Sequence, residues 1–428
     1  MPKPEGSTPD ERTLGESMPS QIESATTPDS APGAAWHDGK RYLWLLGLVV
    51  PMFAFIAWGL VRLTGLGIFW YLGPMMLLIV IPLLDLVVGT DKSNPPEEVV
   101  SQLEQDRYYR WITFLFLPVQ YAALIWACWV WTYSGLTWPD RIGLALTIGV
   151  IAGTAINTAH ELGHKRDNLE RWLAKIALAQ SCYGHFYVEH NRGHHSRVAT
   201  PDDPASSRVG ESVWIFLPRT VCGGYRSAWK LEQPRFKRRG QSYWSIRNDA
   251  INAWLMSAIL WVALLVIFGL GLLPFLLIQA VMGVALLEFV NYIEHYGMLR
   301  RREANGRWER VRPTHSWNSN NVVTNVLLYQ LQRHSDHHAN PTRRYQALRD
   351  FESAPALPTG YAGMIMLAAV PPLWYRVMDP RVAAHFDGDL SWAHIQASKR
   401  DKVLARYSLS APAQARVAEA PDGPGAVA

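Results

Sequence analysis

Six apolar segments, each about as long as a membrane-spanning helix of roughly 20 residues, constrain this chain more than any other feature of its sequence. They occupy residues 42–61, 67–88, 111–133, 142–158, 251–270 and 272–292. Each segment is apolar on every face, whereas a helix on the surface of a water-soluble core is apolar along one stripe. The sequence therefore predicts an all-α integral membrane protein with six transmembrane helices.

Polar stretches between and around these segments bring the mean hydropathy close to zero. Residues 1–36 are rich in Pro, Ser, Thr, Glu and Gly and contain no apolar run, so a disordered N-terminal tail is expected and a secretory signal is not. Residues 37–400 are expected to form one membrane domain with six spans. Residues 401–428 are expected to form a disordered C-terminal tail.

Lysines and arginines near the ends of the segments predict the orientation of the chain. The connection after the first segment and the one after the third hold only Arg62 and Arg141. The connections after the second, fourth and sixth segments carry Lys92, Arg107, Arg110, Lys165, Arg166, Arg171, Arg300, Arg301 and Arg302. Because cytoplasmic loops are enriched in Lys and Arg, both termini and the large polar regions are expected in the cytoplasm, as a helical cap.

Eight of the fourteen histidines stand in three short clusters. The clustered residues are His160, His164, His190, His194, His195, His334, His337 and His338. A ninth, His295, follows the sixth segment, and the predicted orientation brings all nine to the inner face of the membrane. The remaining five stand alone and are expected to be structural: His37, His185, His315, His385 and His394.

The clusters predict a metal site, because neutral imidazole is the commonest protein ligand for first-row transition metals. On a helix, His334 shares a face with either His337 or His338, and the other turns toward a second metal or a partner helix. Nine ligands exceed what two tetrahedral zinc ions need and favour iron with five or six ligands.

Acidic residues beside the histidines have a possible role at such a site. Glu161, Glu189, Glu294 and Asp336 each neighbour a candidate ligand and are predicted to accept the second N–H of an imidazole. The alternative is that they are solvated surface side chains. Glu288, inside the sixth segment, is a further functional candidate because a carboxyl is costly to bury in a membrane.

Two other kinds of metal protein, a zinc protease and a haem protein, fit the histidine pattern less well. Residues 160–164 match the HExxH signature of zinc proteases, but that chemistry leaves six histidines without a role. A haem-binding electron-transfer protein needs axial histidines inside its spans, and no segment has a histidine in its middle.

The cysteines and one basic stretch do not contribute to the predicted metal site. No C-x-x-C pair occurs, so free thiols are expected for Cys128, Cys182 and Cys222. A basic stretch contains Arg235, Lys237, Arg238 and Arg239. It is expected to contact either anionic membrane lipid or an acidic protein partner, and nucleic-acid binding is not indicated.

Four blocks around the histidines resemble those of the membrane-bound alkane 1-monooxygenases, within the fatty-acid desaturase and hydroxylase superfamily. They read HELGHK at 160–165, EHNRGHH at 189–195, NYIEHYG at 291–297 and LQRHSDHH at 331–338. Three further stretches are similar too: NPPEE at 94–98, SWNSN at 316–320 and YQALRDF at 345–351. The resemblance runs from Asp38 to Arg400.

This resemblance implies an enzyme of the bacterial inner membrane that hydroxylates the terminal methyl of a linear alkane. It implies two non-haem iron ions as cofactor, dioxygen as co-substrate, and electrons from reduced rubredoxin, itself reduced by an NADH-dependent rubredoxin reductase. The chain has no paired cysteines for an iron–sulfur centre, so a separate rubredoxin is expected. By position the family's ligands fall on His160, His164, His190, His194, His195, His295, His334, His337 and His338. The alternative is a fatty-acid or acyl-lipid desaturase or hydroxylase of the same superfamily.

A row of side chains in the second segment is predicted to form the wall of the substrate channel. Small to medium residues recur there at helical spacing, namely Gly73, Leu77, Val80 and Leu84. The alternative is that this row packs against the first or the third segment.

Overall fold

The structure is a computed structural model that describes residues 36–408. Within this range the chain folds into helices, and pairing between extended segments is limited to isolated bridges. The all-α class is therefore confirmed. Apart from Trp36 and residues 401–408, the two tails predicted to be disordered lie outside the described residues.

Six helices are long and apolar enough to cross a membrane, which confirms the six predicted segments. They are α1 (Leu43–Thr64), α2 (Gly67–Val88), α4 (Arg107–Tyr133), α5 (Trp138–Gly163), α9 (Asp249–Phe268) and α10 (Leu270–His295), with a short polar helix α3 (Glu97–Gln105) after α2. The chain is thus a multi-pass membrane protein. Helix α5 extends beyond the predicted 142–158 at both ends, because it starts at a side-chain cap from Thr137 and continues through His160.

A π-helical turn, Met76–Val80, interrupts α2. Such a turn holds one residue more than an α-helical turn, so the side chains that follow are shifted around the helix axis. The buried positions of α2 around this turn are Gly73, Ile81 and Asp85.

Helices α5 and α10 pack against each other through small residues. A Cβ atom on Gly149 would lie 2.5 Å from the Cβ of Met282, and one on Gly283 would lie 2.9 Å from the Cβ of Ala152. Such close approach is typical of small residues at membrane-helix interfaces. Because the contacts advance in the same direction along both helices, the C-terminal ends of α5 and α10 lie side by side.

Shorter helices form the cap around those ends. Between α5 and α9 they are α6 (Asn168–Ala179), α7 (186–197) and α8 (Val213–Lys237). After α10 they are α11 (Val322–Leu327), α12 (His334–Ala339), α13 (Tyr361–Ala368), α14 (Pro371–His385) and α15 (Arg400–Ser408). Helix α15 reaches into the predicted C-terminal tail, where Val403 is buried in the core formed with α10, α13 and α14.

Candidate metal centre

Nine histidines of α5 and its C-terminal cap residue, α7, α10 and α12 form two groups. Within each group, one ring nitrogen from each histidine lies within 4.8 Å of those from the others. The first group contains His160, His164, His190, His195 and His337. The second group contains His194, His295, His334 and His338. These nine are the residues that the sequence proposed as ligands.

The Nε2 atoms within each group face one another. That of His195 lies 3.0 Å from those of both His190 and His337, and that of His338 lies 2.9 Å from that of His334. A metal ion with bonds of roughly 2.1 Å at right angles holds its ligand nitrogens about 3.0 Å apart, whereas tetrahedral angles require about 3.4 Å. The spacing in the first group therefore fits an ion with five or six ligands. In the second group the Nε2 distances from His194 to His338 and from His295 to His334 are 3.2 and 3.3 Å, between the two geometries.

Two further observations fit a metal ion at these groups. The Nε2 atoms of His160 and His164 are buried and have no hydrogen-bond partner among the described residues. Burial also holds the pKa well below its usual value for His164, His190, His195, His334, His337 and His338. These imidazoles are therefore neutral near pH 7, which is the form that binds metals.

Local helix geometry distributes the histidines between the groups. Residues 189–194 of α7 form a π-helical segment, and His190 joins the first group with His195, five residues on, while His194 joins the second. In α12, His334 and His338 share the second group at the i,i+4 spacing, and His337 points to the first. Adjacent residues thus belong to different groups at two places in the chain.

Two buried carboxylates contact the second group. An oxygen of Glu294 lies 3.1 Å from Nε2 of His334, and its other oxygen accepts a hydrogen bond of 2.7 Å from the hydroxyl of Tyr361. The carboxylate of Asp203 lies 3.0 Å from Nδ1 of His194. Asp203 therefore binds the His194 ring at the nitrogen opposite Nε2. This is the role that was predicted for the acids beside the ligands.

Within the described residues, three of the acids predicted to contact an imidazole are bonded to basic side chains. Glu161 forms an ion pair of 2.9 Å with Lys165, Glu189 accepts from Arg197 at 2.7 Å, and Asp336 accepts from Arg343 at 2.9 Å. The physical reason is that consecutive helical residues point about 100° apart. A carboxylate next to a ligand in sequence therefore turns away from that ligand's ring.

The three additional family-like stretches surround α12. Asn318, from 316–320, accepts from the backbone N–H of Ser335 at 2.9 Å and caps the first turn. Arg333 is 1% exposed; it donates to the carbonyl of Leu348, from 345–351, at 2.7 Å and to Oδ1 of Asn94, from 94–98, at 3.3 Å. These contacts fix the helix that carries three of the nine histidines.

An apolar cavity lies between α1, α2, α5 and α13. Its lining includes Val50, Phe53, Leu77, Ile81, Val150 and Ile365. Tyr361 lines it too, and the hydrogen bond from Tyr361 to Glu294 links the cavity to the second histidine group.

Only part of the predicted channel row reaches this cavity. Leu77 lines it, but Gly73 packs on α5, where its N–H donates to the Thr147 hydroxyl at 3.0 Å. Leu84 is 40% exposed and Val80 is half-buried. The π-helical turn shifts the register by one residue, so Ile81 takes the inward position predicted for Val80 and Leu84 faces outward.

The cysteines are unpaired, as the sequence predicted, with Cys128 buried and Cys182 and Cys222 exposed.

Comparison with known proteins agrees with the geometry of this centre. Residues 136–368 match the fatty acid desaturase family. Alkane 1-monooxygenases of Pseudomonas putida and Ectopseudomonas oleovorans are each 48% identical to the chain over 380 and 382 residues, covering 89% of this chain and 94% and 95% of theirs. That of Acinetobacter baylyi is 46% identical over 383 residues, 88% of this chain and 93% of its own length. The chain therefore belongs to the alkane 1-monooxygenases of the fatty acid desaturase family.

Proposed function

We propose that this protein hydroxylates the terminal methyl of linear alkanes to 1-alkanols, at two iron ions held by the nine histidines. The observation that carries the proposal is an apolar cavity that is linked through Tyr361 and Glu294 to the second of two adjacent histidine groups. The iron ions, when bound, supply the redox chemistry that activates dioxygen. The residues of the chain hold the ions, orient the His194 ring through Asp203, and place the hydrocarbon.

The cavity favours a hydrocarbon over a fatty acid. The residues described around it include no lysine or arginine that would pair with a carboxylate. Its polar lining groups are Thr154, Thr324 and the hydroxyl of Tyr361. Since an alkane dissolves in the bilayer, it can enter from lipid between the spans.

Electrons are proposed to come from a separate rubredoxin in the cytoplasm, with the enzyme in the bacterial inner membrane and both termini on the cytoplasmic side. The positive-inside pattern of Lys and Arg supports this orientation. Rubredoxins are small and acidic, so basic side chains of the cap are candidates for docking them.

Three basic residues of the cap are engaged in ion pairs within the protein and are not available for docking. Arg235 pairs with Glu232 and Asp249, Arg343 with Asp336, and Arg344 with Glu170. Exposed candidates are Lys237, Arg238 and Arg239, at and beyond the end of α8. We assign rubredoxin docking to these three.

Product analysis on the purified enzyme tests the proposal. The protein is loaded with iron and supplied with rubredoxin, rubredoxin reductase and NADH, and an alkane and a fatty acid of equal chain length are offered side by side. A 1-alkanol from the alkane is expected, with two irons per chain and no Soret absorption. A desaturated or hydroxylated fatty acid with no alkanol would favour the alternative activity, and a Soret band would indicate a haem protein.

A further inference from the structure

A second cavity lies beside the histidine groups and shares no lining residue with the apolar one. It is bounded by α7, α8 and the last turns of α10, and His190 and His194 form its inner wall. Half-buried Pro204 and Ala205 line it too, so it extends from the centre toward the surface of the cap. Eight of its twelve lining residues have polar side chains; besides His190 and His194 they are Tyr183, His185, Glu189, Thr220, Glu288 and Asn291.

Glu288 is the most unusual of these groups, because it is a carboxyl in a membrane-spanning helix and is only 2% exposed. Its oxygens accept hydrogen bonds from the hydroxyl of Tyr183 at 2.6 Å and from that of Thr220 at 2.9 Å, and from the amide of Asn291 at 3.1 Å. No Lys, Arg or His nitrogen of residues 36–408 forms an ion pair with it. A carboxyl at such a depth without a counter-ion is costly and marks a functional group.

Other polar atoms of the cavity lack partners. Both ring nitrogens of His185, a side chain only 5% exposed, have no hydrogen-bond partner among the described residues, and neither has one oxygen of Glu189. Buried polar atoms are almost always hydrogen-bonded to protein or to ordered water. A cavity lined by several such atoms is therefore expected to hold water.

The proposed reaction creates a need for such a cavity. In RH + O₂ + 2 e⁻ + 2 H⁺ → ROH + H₂O, one oxygen atom enters the C–H bond and the other is reduced to water. The one-electron carrier protein supplies the electrons in two steps, and two protons must enter and one water leave in each turnover. Most of the apolar cavity is lined by hydrocarbon side chains, which cannot hydrogen-bond to water or protons along its length.

Resting on this proposed function, we propose that the polar cavity, whose volume of about 20 Å³ accommodates about one water molecule, is a hydrated chamber through which protons reach the metal centre and product water leaves. Glu288 is its proton-carrying side chain at the inner end, with Tyr183 and Thr220 hydrogen-bonded to it. The hydrocarbon and the protons thus approach the centre by separate routes, one between the spans and one through the cap.

The first test measures hydration in the full-length purified protein without turnover, so it is independent of alkane hydroxylation. Radiolytic hydroxyl-radical labelling with mass spectrometry modifies side chains that touch bound water. Tyr183 and Phe186 are expected to be labelled several-fold faster than controls of comparable burial outside the chamber. Phe289 is the control for Phe186, since both are 7% exposed, and Tyr345 is the control for Tyr183. Equal labelling of chamber and control residues would overturn the proposal.

The second test separates a proton-carrying role from a structural one. Glu288→Gln keeps the size and removes the exchangeable acid, so kcat should fall about tenfold or more while KM for the alkane stays unchanged. The solvent kinetic isotope effect in D₂O should be larger in Glu288→Gln than in the wild-type protein. Glu288→Asp, which keeps the carboxyl, should have a kcat between those of the wild-type and Gln proteins. Thr220→Val removes one hydrogen bond and keeps the acid, so a smaller loss is expected.

Iron content and thermal midpoint are measured on each variant. Wild-type kcat in Glu288→Gln, or equal loss in the Asp and Gln variants with an unchanged isotope effect, would overturn the role of Glu288. If the Gln variant loses iron, the labelling test still decides whether the chamber is hydrated. Absence of alkanol from the wild-type enzyme would instead refute the function on which the proposal rests.

Discussion

His295 is the residue whose role is least evident from spacing, because it stands outside the three clusters. In the structure it is fully buried and its Nε2 lies 3.3 Å from that of His334. His295→Ala should therefore lower bound iron and abolish hydroxylation. His385→Ala, whose ring packs beside Phe386 and Trp317, should do neither. An alanine variant at 295 that kept two irons and full activity would contradict the nine-ligand centre.

Asp203 acts on the centre through His194. Asp203→Asn should weaken iron binding about 10- to 100-fold, because the ring loses the carboxylate that fixes its orientation. Competition with a chelator measures this change. The adjacent and exposed Asp202 provides a matched control, since Asp202→Asn alters the same charge without touching the centre. Equal iron affinity in the two variants would refute the role of Asp203.

The histidines and the acids differ in how well sequence predicts them. Histidine spacing on helices is a local pattern that identified eight of the nine candidates, and the ninth, His295, was predicted from its position after the sixth segment. Asp203 lies nine residues from the ring it holds, and Tyr361 reaches Glu294 from another helix. Such contacts depend on tertiary packing, which no pattern around the histidines records.

At the scale of single helices, Leu77 gives a test of the substrate route. Its side chain lines the apolar cavity, so Leu77→Trp should shorten the space and cut off activity on the longest alkanes while sparing short ones. Leu77→Ala should leave both largely intact. Product yields across a series of chain lengths measure the effect.

Leu84→Trp is the control for this experiment, because Leu84 is 40% exposed on the outer side of the same helix. It should leave the chain-length profile unchanged. A uniform loss at all lengths in Leu77→Trp would mean that the side chain only supports packing and that the alkane runs elsewhere.

The register of α2 shows where prediction from helical periodicity fails. Regular spacing predicted an inward row through Val80 and Leu84, but the π-helical turn moves that row to Ile81 and Asp85. A single inserted residue leaves the apolar composition of the segment unchanged. Hydropathy therefore predicted the helix correctly, but not which of its side chains face the protein interior after the π-helical turn.

For the molecule as a whole, docking of an acidic rubredoxin should depend on ionic strength. Turnover limited by rubredoxin should fall steeply as salt rises, because screening weakens attraction between exposed charges. Replacing Lys237, Arg238 and Arg239 together by glutamine should reduce both the rate and its salt dependence. At saturating rubredoxin the effect should vanish. Salt-independent turnover at low rubredoxin would exclude this docking surface.

Acid should destabilise the iron-free protein through its buried histidines. Burial lowers their pKa values in the folded state, while the unfolded chain takes up protons below the ordinary value of about 6.5. The unfolded state therefore binds more protons below that pH, and stability is full above it and falls as pH decreases. Thermal unfolding midpoints in detergent between about pH 8 and pH 5.5 measure this loss. A constant midpoint would show that the imidazoles are not buried in neutral form.

Sequence predicted the broad architecture because membrane spans follow from length and apolar composition alone. The division of nine histidines into groups of five and four was not predictable in this way. It depends on how α5, α7, α10 and α12 meet, and on the π-helical segment of α7.

The placement of neighbouring histidines in opposite groups has a thermodynamic consequence. His194 and His195, and again His337 and His338, each join the two sites through a single peptide unit. An ion bound in one site orders both peptide units and thereby prearranges ligands of the other, so less conformational entropy remains to be lost when the second ion binds. We expect the two ions to load cooperatively, with half-filled protein scarce at every stage of a titration.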